Sequence, residues 1–205
     1  MTPTPRRASG PTLLLACHYG AASLFDVAQL FVTTHIGAYG GPAPGSIHSS
    51  LVLLPGGVRG EPVRPLGLQA VPLRVGPYAP DLMSRRVRYY DTGLDAASIE
   101  DVWDWATARV GTPYDFVGLG WCALYEIEHR LGVLPDVTQA FLDSPRAALF
   151  CSAYAGTALR RRLPDLAPGV RPDNLAPAYL EQEAIRIGLR RWRVSPSTTA
   201  LSAVT

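Results

Sequence analysis

Every apolar run in this chain is cut short by residues that stop regular structure, and that punctuation limits the fold more than any other feature. Residues 13–17 (Leu-Leu-Leu-Ala-Cys) break at His18, residues 47–54 stop at Pro55-Gly56-Gly57, and the stretch 95–110 stops at Gly111-Thr112-Pro113. The chain holds 19 glycines and 19 prolines in 205 residues, well above the ordinary combined share of about 12%. A helical bundle or coiled coil needs long uninterrupted periodicity, so short elements joined by many turns are expected instead. Apolar residues make up 47%, enough for one globular core.

Charge narrows the function classes. Only 18% of residues are charged and the net charge is +2, which excludes a charge-extended disordered chain and gives no bulk pull toward nucleic acid. All 19 basic residues are arginine, so lysine nucleophiles and Schiff-base chemistry are excluded. The run Arg160-Arg161-Arg162 falls at a helix C-terminus, where cations complement the dipole; no glycine-rich phosphate loop accompanies it. Cys17, Cys122 and Cys151 are too few and too scattered for a disulfide framework, and no Cys-x-x-Cys pair suggests zinc. Glu126-x-x-His129 has a metal-bundle spacing without a second copy and reads as a solvated helix face. No cofactor is expected.

The pattern divides the chain into a flexible leader (1–11), one domain (12–194) and a flexible tail (195–205). Arg6 and Arg7 precede an apolar run too short for a signal peptide or a membrane span, so a cytoplasmic location is the default expectation. Residues 12–17 read as a short buried strand. Residues 21–33 read as a helix, with Leu24, Val27, Ala28 and Phe31 on one face. After a Gly/Pro loop at 37–45, residues 47–54 and 58–63 read as two strands of a meander that continues into the apolar stretch 66–73. Helices are expected over 95–110, 116–131 and from Cys151 to about Arg162, with a closing strand between 185 and 193. The fold class is α+β.

Cys151 is the sharpest chemical feature. It opens a helix, with the small residues Ser152, Ala153, Ala155 and Gly156 behind it. A helix N-terminus offers unpaired N–H groups and a partial positive charge; both favour a thiolate and can hold an oxyanion at the same spot. Cys17 ends an apolar run and Cys122 lies within Trp121-Cys122-Ala123-Leu124, so both read as core residues. A nucleophilic cysteine needs a base. His48 opens a strand ahead of four apolar residues, whereas His35 precedes the flexible Gly-rich loop and is the second choice. His18 follows Cys17 directly, and neighbours on a strand point to opposite faces, so the two cannot pair. Glu61, on the next expected strand, is the candidate to orient His48, with Gln69 as the alternative if the register differs.

The order of these pieces resembles the circularly permuted NlpC-type hydrolases of the papain-like cysteine superfamily, including the YiiX-like and lecithin:retinol acyltransferase-like groups. The resemblance rests on Ser46-Ile47-His48, the strand 51–54, Gly56-Gly57, Glu61, Gly111 through Tyr114-Asp115-Phe116, Phe150-Cys151-Ser152, and Pro172-Asp173-Asn174-Leu175, and it spans roughly residues 12–190. It implies a permuted papain-like fold in which a small antiparallel sheet or barrel packs on the helix bearing Cys151. It also implies a cysteine amidase or peptidase working through a thioester, with Cys151, His48 and Glu61 as its triad. Peptide or acyl-amide substrates are implied, bacterial cell-wall peptides among them, with no nucleic acid and no transmembrane segment. A thiol acyltransferase or lipid hydrolase, and a silent interaction module on the same fold, are the other readings.

Overall fold

Two neighbouring strands form the centre of the fold because their sequences are apolar on both faces. In the computed structural model, which describes residues 10–19, 46–56, 64–71, 74–115, 150–169, 175 and 177–193, these are Thr12–His18 (β1) and His48–Leu54 (β2). They pair antiparallel, with Leu14 opposite Val52 and His18 opposite His48. Leu13, Leu15, Cys17 and Leu51 enter the main core, while Leu14, Ala16 and Val52 enter a smaller cluster on the other face with Tyr89. A strand buried on both sides has no reason to alternate, and the unbroken leucine run of β1 is that case.

Leu66–Val71 (β3), Arg74–Tyr78 (β4), Val87–Asp91 (β5) and Arg190–Trp192 (β6) complete a six-stranded sheet in the order β4-β3-β2-β1-β5-β6. All its pairings are antiparallel. Gly67 lies opposite Tyr78, and the tyrosine ring occupies the space where any side chain at 67 would begin. A glycine inside a strand here marks a close approach.

Three helices among the described residues accompany the sheet, so the molecule is α+β. Ala96–Thr107 (α1) starts at Asp95, whose carboxylate accepts the Ser98 N–H at 2.8 Å, and buries Ile99, Val102 and Ala106. Cys151–Arg160 (α2) packs on β2 and β3. Its Ala153, Ala155, Gly156 and Ala158 are all buried, and these small side chains let the helix backbone approach the sheet closely. Arg161 and Arg162 reach Asp101 at 2.6 and 2.9 Å, joining the end of α2 to α1.

The closing strand expected between 185 and 193 is present at Arg190–Trp192, while residues 185–186 end a helix. Pro177–Arg186 (α3) turns Leu180 and Ala184, four residues apart, into the core, and Pro177 sits at its first position, where proline's missing N–H costs nothing. Gly188, at φ 83°, ends the turn, and only Arg190–Trp192 joins the sheet, beside β5. Buried Glu181 ties α3 to the sheet: it accepts the Tyr19 and Tyr90 hydroxyls, the latter at 2.6 Å, with Arg88 at 3.6 Å. The helices expected over 21–33 and 116–131 and the strand expected over 58–63 lie outside the described residues. No helix among those described is long and apolar enough to cross a membrane.

Candidate active site

The thiol of Cys151 stands at the first residue of α2, whose N-cap residue makes no side-chain capping bond. That residue, Phe150, is extended (φ −95°, ψ 172°). Ser152 would be an ordinary capping residue one position earlier, but its hydroxyl donates instead to the Leu175 carbonyl. The backbone N–H groups of Ser152 and of Ser49, from β2, both hydrogen-bond the sulfur. The far side of α2 is fixed by Tyr154, whose hydroxyl donates to the Ala106 carbonyl at 3.0 Å.

His48 meets Cys151 from the first position of β2 and hydrogen-bonds the thiol. Burial alone would push this cysteine up. The charge of His48, its hydrogen bond and the two backbone N–H groups outweigh burial and hold the thiol below its ordinary value. Cys17, in the same core, is the opposite case. Burial pushes it well up, the Glu181 carboxylate adds to that, and it stays a neutral thiol.

The third position belongs to Gln69. β2 pairs with β1 on one flank and with β3 on the other. Ser50 is opposite Gln69 in the register, which sets Gln69 diagonal to His48, within reach of a long side chain. Its Oε1 lies 3.0 Å from His48 Nε2. An amide oxygen has no proton to give, so Nε2 carries the hydrogen of that bond, leaving Nδ1 for the thiol. Glu61 itself lies outside the described residues, as do His35, Cys122 and His129.

Tyr114 is a site residue the sequence reading passed over. The segment around it is held against β4: Val75 N–H donates to the Thr112 carbonyl at 2.8 Å, and Gly111 N–H returns to the Val75 carbonyl at 2.9 Å. This places the buried Tyr114 hydroxyl in hydrogen bonds with the Cys151 thiol and backbone N–H, and burial followed by the sulfur's charge pushes the phenol up, so it stays a donor. The signal lay in Tyr114-Asp115-Phe116, used from sequence only as part of the motif order.

His18 was set aside as a partner for Cys17, and the two do point to opposite faces. Its ring instead meets His48 edge to face, centroids 5.0 Å apart at 64°. Among the described residues no cluster of three or more metal-ligating side chains occurs. Cys151 has no exposed surface (0%), whereas His48 is partly exposed. Comparison of the chain with protein-family models, with curated proteins and with solved structures gives no match.

Proposed function

We propose that this protein is a cysteine hydrolase of permuted papain-like architecture that cleaves amide or peptide bonds through a thioester, with Cys151 as nucleophile, His48 as base and Gln69 as the residue that orients it. The observation carrying this reading is the lowered thiol of Cys151 at a helix N-terminus, hydrogen-bonded to a histidine whose other nitrogen is held by an amide oxygen. The thiolate attacks the acyl carbon. The carbonyl oxygen takes up the negative charge beside the first-turn N–H groups of α2 and the Tyr114 hydroxyl. His48, now an imidazolium, gives its Nδ1 proton to the leaving amine as the C–N bond breaks. Water then gives a proton back to Nδ1 as it attacks the thioester, and the acid leaves with the thiol restored.

Peptides of the bacterial cell wall are the first substrate class to test, from the resemblance of motif order. A lipid ester or amide, cleaved or transferred, is the alternative on the same chemistry. The complete burial of Cys151 favours a second reading, a silent interaction module, because an acyl group cannot reach an enclosed thiol without opening the wall. One experiment separates the readings: native protein is alkylated with iodoacetamide at pH about 6, where a free thiol is nearly all protonated, and the modified cysteine is mapped. Selective labelling of Cys151, lost in His48→Ala, supports the hydrolase. A protected Cys151, or labelling of Cys17 or Cys122 instead, removes the catalytic reading. Turnover of peptide against acyl-ester substrates, abolished in Cys151→Ser, then assigns the class.

A further inference from the structure

The candidate nucleophile and base occupy one end of the sheet, and a second polar group lies immediately beside them. His18 is opposite His48 in the β1–β2 register, with the edge-to-face ring contact described above. Its Nε2 lies 2.9 Å from Ser50 Oγ, and Ser50 Oγ lies 2.7 Å from the Tyr78 hydroxyl. Burial pushes that phenol up to about 12, so it keeps its proton. The backbone around His18 is fixed too: its carbonyl accepts the Ile47 N–H at 2.9 Å, and the Tyr19 N–H donates to Arg86 at 2.7 Å. On the β5 side the register partner of His18 is Val87, which brings no charge. A hydrogen-bonded chain thus crosses from β4 through β2 to β1, and it ends on the ring that touches His48.

We propose that His18 is a positioning residue for His48. Gln69 and the Cys151 thiol hydrogen-bond the imidazole in the plane of its ring, and the edge-to-face contact with His18 adds a restraint on the tilt of that plane. The His18 ring, itself locked by Ser50 and Tyr78, holds that tilt and keeps Nδ1 aimed at Cys151. The gap between a working and an idle base is small, of the order of 0.5 Å, so a packing restraint on tilt matters beside the hydrogen bonds. This rests on the catalytic reading of Cys151 and His48 and assigns how that pair is kept in register.

Alkylation of Cys151 by iodoacetamide reads the alignment without any substrate. In His18→Ala the rate should fall about tenfold at pH about 6, where the thiolate depends on His48, and should match the unaltered protein at pH about 9.5, where the thiol ionises by itself. His18→Gln, whose amide can still reach Ser50, should recover most of the loss. Ser50→Ala and Tyr78→Phe, which untie the ring without removing it, should each give about a threefold loss at the lower pH only. They carry the test if His18→Ala does not fold. An unchanged rate at the lower pH, or an equal change at both, makes His18 a packing residue and overturns the proposal. A Cys151 in the unaltered protein that reacts no faster than a free thiol is a different result and ends the catalytic reading itself.

Discussion

Gln69 Oε1 sits 3.0 Å from His48 Nε2 across the boundary between β2 and β3, diagonal to its register position. The bond selects the tautomer that leaves Nδ1 for the thiol, so its loss should damage alignment and leave the nucleophile in place. Gln69→Ala should lower kcat by about tenfold to a hundredfold, the range of one well-placed hydrogen bond, with the Cys151 side chain still present and the fold intact by circular dichroism. Gln69→Glu, which keeps an acceptor at the same reach, should lose less. Equal rates for Gln69→Ala and the unaltered protein would remove the third role from this residue.

Tyr114→Phe removes only the hydroxyl that hydrogen-bonds the Cys151 sulfur and N–H. If this donor meets the developing oxyanion, kcat should fall by about tenfold to a thousandfold with KM little changed. Steady-state kinetics on any accepted substrate decide it, and a change in KM alone would place Tyr114 in substrate binding.

The two buried cysteines should pull stability in opposite directions with pH. Cys151 is held below its ordinary value of 9.0, so the unfolded chain binds more protons between the two values. Its stabilisation is complete above the ordinary value and is lost as pH falls through the lowered one. Cys17 is raised, so the folded state keeps its proton longer, and stability declines as pH climbs past 9.0. Thermal melts should show the advantage of the unaltered protein over Cys151→Ala growing as pH rises toward 9.0. Cys17→Val should flatten the alkaline decline, and an unchanged slope in both variants would contradict the assignment.

Glu181 accepts the hydroxyls of Tyr19 and Tyr90 and faces Arg88. Its replacement by alanine strands two phenols and a cation at once, so Glu181→Ala should lose about 3 kcal/mol in urea unfolding, more than Tyr90→Phe at about 1 kcal/mol. Similar losses in the two variants would mean the carboxylate adds little beyond one bond.

The readable parts of the sequence were those governed by local rules. The strands at 12–17 and 47–54 and the helices beginning near 95 and at Cys151 stand within a few residues of the periodicity that announced them. Residues 185–187 misled because Ile-Arg-Ile alternates like a strand, while the helix ending there is set by Leu180 and Ala184 contacting the core four residues apart. The site was legible at Cys151 and His48, which carry their own signals: a helix start and a polar opening to a buried strand. Gln69 was foreseen only as an alternative and Tyr114 only within a motif, because they and His18 owe their places to strand order and register, which tertiary packing determines.

The order of the strands also sets an order in time. The five strands β1 to β5, with His18, His48, Gln69 and Tyr114, all precede α2 in the chain, so a ribosome delivers these side chains before it delivers the thiol. A nascent chain can collapse its sheet around β1 and β2 while it still lacks a nucleophile. Cys151 meets its partners last, when the long separations between them have already been closed by strand pairing. The Cys151 thiol thus arrives at a frame that, among the described residues, lacks only α3 and β6, which shortens the interval in which it stands exposed to a neighbouring chain or to oxidation.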